Sequence, residues 1–331
     1  MLFRCQKSNI NPNPPWSRIQ WIFQKSGEFK LRMKIAITGA NSSVGLNLLT
    51  HIIAETDINV IAGVRSVRAM ESLPSSPQVD PRIISYNDPA KLAEALEGAD
   101  CIVHLAGILI ENKNTSYASA NVDATEAVVI AAQQLGAKHI VFISVVGASK
   151  NSSNAYFRSK GLAEEFVKSS DIPASIIRTP ILLGPNTAGA SSMIGVASQA
   201  KTKILGGGRY SMRPLDIDDL NQAILNCCNS DSKEAKVHEL VGPEPISYRD
   251  LIQKTASMMN NKVEIGSVPI AIAKLVAAIS SRIKGGGITP TVIDVITMNE
   301  VVESNADDEL NITLTPLQNT LEKILEHKRK K

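Results

Sequence analysis

Residues 34 to 45, Lys34-Ile-Ala-Ile-Thr38-Gly39-Ala40-Asn41-Ser42-Ser43-Val44-Gly45, constrain the fold of this chain more than any other stretch. Ile35, Ala36 and Ile37 form a short apolar run with no charge after Lys34, as a parallel strand buried on both faces requires. Gly39 permits a tight turn, and Gly45 lets the next helix pack closely on the strand. The first amides of that helix then form a ready pyrophosphate site. The middle glycine of G-x-G-x-x-G is absent; the spacing is T-G-x-x-S-x-x-G, with Ser42 in the third-glycine place. Gly39, Asn41, Ser42, Val44 and Gly45 are the candidate contacts.

The next hundred residues repeat the strand and helix alternation. A helix runs to about Glu55, with Leu46, Leu49, Ile52 and Ile53 on one face, and a second strand, Asn59 to Val64, ends at Arg65. At this position an acid would accept from an adenosine 2′-hydroxyl, whereas an arginine pairs with a 2′-phosphate. Arg65, with Arg68 close behind, therefore favours NADP(H), with NAD(H) as the alternative. A third strand, Arg82 to Tyr86, leads to Asn87 and Asp88, placed to meet the adenine edge. A fourth, Asp100 to Gly107, ends in Ala106 and Gly107, small enough for the backbone to approach the cofactor. His104 within it reads as a packed core histidine. A helix from Asn121 to Gly136 and a fifth strand, His139 to Ser144, follow. The fold class is therefore a Rossmann-like, doubly wound parallel α/β sheet with a smaller C-terminal substrate lobe.

Tyr156 and Lys160 stand four residues apart just beyond strand five. On a helix they share a face, so phenol and ammonium can address one substrate atom. A lysine beside a tyrosine stabilises phenolate, and such a tyrosine can exchange a proton with a carbonyl or hydroxyl while hydride moves to or from nicotinamide. A Y-x-x-x-K pair occurs often by chance; its position here gives it weight.

Thr38-Gly39 to Gly45, Asp100 to Gly107, Asn121 to Thr125, Ser144, Tyr156 with Lys160, and Arg178 to Pro185 together resemble an extended or atypical short-chain dehydrogenase/reductase of the NAD-dependent epimerase/dehydratase family. The resemblance is good over about residues 33 to 245. Within it, Tyr156 to Glu164 and Asn311 to Leu317 resemble the branch containing the dehydrogenase-like accessory subunit of respiratory complex I. It implies NADPH binding, a link to quinone metabolism, Tyr156 and Lys160 as catalytic residues, Lys160 also on the cofactor, and Ser144 as third member. Sugar-nucleotide epimerases usually carry a Ser-Ser or Ser-Thr pair after strand five, whose second hydroxyl bonds the reacting oxygen. This chain has Ser144-Val145-Val146 there.

The expected function is NADP(H)-dependent oxidoreduction of a carbonyl or quinone-like small molecule. One alternative is a non-catalytic NADPH-binding subunit of a respiratory or quinone-biosynthesis-related assembly. Another, disfavoured by Val145 and Arg65, is a sugar-nucleotide epimerase or dehydratase.

A net charge of +3 leaves no broad basic surface for nucleic acid, and Lys328 to Lys331 reads as a solvated tail. Cysteines 5, 101, 227 and 228 lack C-x-x-C spacing and point to a reducing compartment, hence cytoplasmic, with the periphery of the inner membrane as the alternative. The five histidines lack ligand spacing, so no metal is expected. Residues 1 to 32 hold six basic side chains against Glu28 alone, and Asn11 to Pro15 breaks any period. With Met33 directly before the first strand, they read as a disordered or non-native extension, ahead of a targeting peptide or a docking arm.

Residues 33 to 245 read as the nucleotide-binding domain, with part of the substrate cleft from about 185 to 215. In that stretch, residues 184 to 192 read as a Gly/Ser-rich loop. Residues 246 to 331 read as the C-terminal lobe. There, Val268 to Ile283 is apolar nearly all round and too short to span a bilayer; core or cleft packing is expected ahead of an interfacial helix.

Overall fold

The computed structural model describes residues 33–284 and 287–330; residues 1 to 32, with the readings given for them, lie outside these. The first half runs β1 (Lys34–Thr38), α1 (Ser43–Glu55), β2 (Asn59–Val64), α2 (Val67–Met70), β3 (Val79–Ile83), α3 (Pro89–Ala95) and β4 (Cys101–His104). A π-helical turn (Ala118–Asp123) leads into α4 (Ala124–Leu135), then β5 (His139–Val145), α5 (Ala155–Lys168) and β6 (Ala174–Thr179). The second half contains β7 (Leu182–Leu183), α6 (Ala188–Ala197), β8 (Lys201–Leu205), β9 (Ser211–Met212), β10 (Leu215–Asp216), α7 (Ile217–Cys228) and β11 (Ala235–Glu239). It ends with β12 (Ile246–Ser247), α8 (Tyr248–Met258), β13 (Glu264–Val268), α9 (Ile270–Lys284), α10 (Pro290–Ile296) and α11 (Leu317–Lys330).

Seven strands form one parallel sheet in the order β11-β6-β5-β4-β1-β2-β3, a Rossmann-like arrangement with β1 inside it between β4 and β2. Strand order reverses at β1, so the crevice beyond the carboxyl ends of β1 and β4 is the switch point where such sheets bind ligands. The period of two in β1 explains its position. Ile35 and Ile37 cluster with Leu48, Leu49 and Ile52 of α1 and with Leu220 and Ile224 of α7. Ala36 belongs to the opposite layer, with Val128 and Ala131 of α4 and Ala163 of α5. Each fully buried leucine or isoleucine contributes roughly 1.5–3 kcal/mol relative to exposure, so neither face can be left bare.

Among the boundaries that differ from expectation, two have a clear physical reason. The third strand begins at Val79 rather than Arg82. Pro81 reads against a strand, but β3 is the sheet edge, where a missing N–H is tolerated. The expected loop over 184 to 192 becomes α6 from Ala188, capped by Thr187, whose hydroxyl accepts from the Ala190 amide. Its helix propensity is weak, and burial of Ala190, Met193 and Ala197 compensates.

Residues 201 to 212 and 246 to 268 are stitched together, β8 to β13 in parallel and β9 to β12 antiparallel. Ile204, Tyr210, Met212, Leu251, Ile252 and Leu321 form their common core.

Candidate active site

The glycine turn is shaped as the sequence requires. Gly39 has φ +76°, and a Cβ there would lie 3.0 Å from the Ala106 backbone nitrogen, so the β1 and β4 loops touch only because it has none. Ser42 is the N-cap of α1, its hydroxyl accepting from the Gly45 amide at 3.0 Å. Gly45 therefore acts through shape: a Cβ would stand 2.5 Å from the Ala40 carbonyl oxygen. The Ser43 and Val44 amides make no hydrogen bond among the described residues and stay available at the helix start. Asn41 is exposed on the same turn.

Arg65 follows β2 at the crevice rim, exposed and without an ion pair or hydrogen bond among the described residues. Asp88 caps α3, its Oδ1 accepting from the Ala90 and Lys91 amides at 3.2 Å each. Ala106 is half-buried beneath Gly39, and Gly107 is exposed beside it; a Cβ on Gly107 would come within 3.1 Å of Asn121 Oδ1.

Asn154 starts α5 by accepting from the Tyr156 and Phe157 amides, which fixes the face that carries Tyr156 and Lys160. Lys160 is buried. Its Nζ donates to the Ile143 carbonyl at 2.8 Å and stands 4.2 Å over the Phe142 ring. Burial pulls its pKa down to about 8, against the opposing pull of the Glu164 charge. Tyr156 is half-buried, its ring 5.7 Å from those of Tyr117 and Phe157, and its hydroxyl has no hydrogen-bond partner among the described residues. Burial, then Tyr117, pushes the phenol above its ordinary range, so it is protonated at neutral pH.

Ser144 lines the small cavity at the strand ends together with Tyr156 and Lys160, but its proton is committed elsewhere. Its hydroxyl donates to Glu164 Oε1 at 2.6 Å, while Val145 and Val146 line the cavity beside Tyr156. Asn121, which carried no role in the sequence reading beyond its place in a quoted segment, proves to be central. It sits in the π-helical turn, a distortion frequent at functional sites. Its Oδ1 accepts from the Ile108 amide at 2.8 Å, and its Nδ2 donates to the Ile108 carbonyl and to Ser159 Oγ, tying the β4 loop to α5 beside Lys160. His104 is buried between Thr38 and Thr125, 2.6 and 3.1 Å from its two ring nitrogens, and burial with the Lys160 charge pushes it down to about 3. It is a neutral, packed histidine.

Two cavities share Tyr156. A small one of about 200 Å³ is bounded by Ala106, Gly107, Lys160 and Thr179 at the strand ends. The other, of about 560 Å³, is walled by Val145, Val146, Phe157, Met212, Val268 and Ile296 among others. Lys203 and Glu300 are the charged residues of that lining, and the Glu300 carboxylate accepts from the Arg213 amide at 2.6 Å.

A family model described as NAD(P)H-binding matches residues 39–207, from the glycine turn to the lobe. This chain belongs to that NAD(P)H-binding family. Among curated proteins, the NAD(P)H-binding chain is 26% identical over 250 residues to the mitochondrial NADH dehydrogenase (ubiquinone) 1 alpha subcomplex subunit 9 of Arabidopsis thaliana. That match covers 73% of this chain but 62% of the relative, less than two thirds of its length. A ceramide reductase of Caulobacter vibrioides is 21% identical, with 71% of this chain and 73% of that protein covered. The fold is similar to the UDP-glucuronic acid 4-epimerase of Bacillus cereus solved with UDP-glucuronic acid and NAD, with TM-score 0.68, 17% identity, and 90% and 99% of the two chains covered.

Proposed function

We propose that this chain is an NADP(H)-dependent oxidoreductase acting on a carbonyl or hydroxyl group of an apolar, quinone-like or lipid-like small molecule. The observation that carries this reading is Tyr156, whose unpartnered phenol stands where the crevice at the strand ends meets the apolar cavity. The turn fits a dinucleotide, because Gly39 and Gly45 let it close tightly on the Ala106 and Ala40 backbone and the Ser43 and Val44 amides at the helix start make no hydrogen bond among the described residues. The Ser43 and Val44 amides would hold the pyrophosphate on the turn that Gly39, Asn41, Ser42 and Gly45 shape, with Ala106 and Gly107 under the nicotinamide half. Asp88 borders the adenine edge, Arg65 would take a 2′-phosphate and Lys160 the ribose.

The bound dihydronicotinamide would supply hydride to the substrate carbon. Tyr156, protonated at neutral pH, gives its proton to the carbonyl oxygen, and the Lys160 ammonium on the same helix face stabilises the phenolate left behind. An apolar substrate follows from the lining. A sugar nucleotide brings a diphosphate, and Lys203 is the one cation among the lining residues, with Glu300 to offset it. The relative named for ceramide reduction agrees with a lipid-like substrate.

The test is NADPH oxidation with long-chain ketones, quinones, enones and sugar nucleotides, on wild type and Tyr156→Phe together. Oxidation by an apolar carbonyl, reduced about 10²-fold or more in Tyr156→Phe with NADPH affinity retained, is the expected result. No turnover with any member, or turnover untouched in the variant, overturns it.

One observation favours a second reading, a non-catalytic NADPH-binding subunit. With the Ser144 proton committed to Glu164 and valines at 145 and 146, that strand end offers Tyr156 no free hydroxyl donor. The complex I relative would then point to a respiratory assembly at the periphery of the inner membrane. In that case Tyr156→Phe is silent and loss of nucleotide impairs assembly.

A further inference from the structure

Helix α9 turns its apolar side to solvent. Ile272, Leu275, Val276, Ile279 and Ile283 stand at i, i+3, i+4, i+7 and i+11, which puts them on one face, and each is at least 56% exposed. Ala277 is the one residue of this helix buried among those described. The core packing expected for 268 to 283 is therefore not found, and an apolar face of this kind marks an interaction surface.

Three observations say what covers it. The stripe is entirely aliphatic, without the aromatic and arginine anchors that enrich protein interfaces. It adjoins the apolar cavity: Val268, two residues before α9, and Val295 and Ile296 of α10, on which α9 packs, belong to the cavity wall. The charge leans basic, since from residue 264 to 294 the chain carries Lys274, Arg282 and Lys284 against Glu264 and Asp294. Lys274 pairs with Asp294, whereas Arg282 is exposed with no ion pair among the described residues.

We infer that the exposed face of α9 docks this protein on a lipid bilayer containing anionic lipid. At 15 residues the helix is about 22 Å long, short of the ~30 Å hydrocarbon core, and no helix among the described residues is long and apolar enough to cross a membrane. It lies in the interface plane, aliphatic face toward the acyl chains and Arg282 among the headgroups. The docking stands apart from turnover: it holds whether or not the chain reduces anything.

The experiment is flotation of the full chain with vesicles of phosphatidylcholine alone, or with about one-third phosphatidylglycerol. Wild type is expected to float with the mixed vesicles and more weakly with phosphatidylcholine alone. Leu275→Glu with Ile279→Glu should lose at least about tenfold in binding. NADPH binding and the thermal melt of that variant verify its fold, and Ile272→Ser with Ile283→Ser provides a milder second variant. Wild type that stays unbound, or variants that float like it, overturn the inference. Equal flotation on both compositions overturns the anionic requirement. A dimer in vesicle-free buffer that the variants dissociate assigns the face to a second copy instead.

Discussion

Ser144 donates to Glu164 Oε1 across 2.6 Å, joining the end of β5 to the helix that bears Tyr156 and Lys160. Glu164 is 1% exposed and holds the Arg178 guanidinium by both oxygens, at 2.9 and 2.7 Å. The carboxylate is thus fully engaged, and the Ser144 proton is committed to it.

Ser144→Ala is accordingly expected to lower stability by about 1.5–3 kcal/mol, the range for a hydrogen bond to a charged group. NADPH affinity should stay as in wild type. Urea midpoints and cofactor titration check this together; a variant with unchanged stability and lost turnover would return Ser144 to the reacting atoms.

What is legible in sequence is what neighbours in sequence decide. Ile35 to Ile37, bounded by Lys34 and Gly39, is an apolar run that only the middle of a parallel sheet can bury on both faces, and β1 lies there. The turn residues and the shared face of Tyr156 and Lys160 follow from local geometry in the same way. Long-range commitments are not legible. Ser144 meets Glu164 twenty residues away, and Asn121 meets Ile108 and Ser159 only once β4 and α5 are side by side. Helix α9 misleads for a related reason. An apolar composition reads as core, whereas the exposure of Ile279 is set by what the rest of the fold leaves uncovered.

Lys160 gives a pH dependence with a definite sign. Its folded pKa of about 8 lies below the ordinary 10.5, so from about pH 8 to 10.5 the unfolded chain binds the extra proton and stability contributed by this group rises. Cofactor binding should move the other way, weakening as pH climbs through about 8 and the ammonium is lost. NADPH titration across pH 7 to 10 should show the fall in wild type and a flat profile in Lys160→Arg. A wild-type profile flat to pH 10 would remove Lys160 from cofactor binding.

His104 acts at the acid end. Its folded pKa of about 3 lies well below the ordinary 6.5, so between these values the unfolded state binds the proton and stability falls as pH drops. His139, pushed down to about 4 by burial and then by His238, adds to the same slope. Urea midpoints from pH 7 to 4 should decline in wild type and less steeply in His104→Gln, whatever that variant loses at neutral pH. Equal slopes would mean that His104 is not held neutral.

Arg65 is expected to set the cofactor preference. It is exposed after β2, one residue before Ser66 caps α2 by accepting from the Ala69 amide, and no acid is paired with it among the described residues. A guanidinium with no carboxylate to satisfy matches a 2′-phosphate with paired, charge-assisted hydrogen bonds, which a 2′-hydroxyl cannot reciprocate. Calorimetry should therefore show NADPH bound more tightly than NADH by wild type. Arg65→Ala should lose about tenfold or more for NADPH and little for NADH, and added salt should weaken NADPH binding less than in wild type. Arg68→Ala, on the neighbouring turn, separates the two arginines. If both cofactors bind wild type equally, or if the preference persists in Arg65→Ala, the 2′-phosphate contact lies elsewhere.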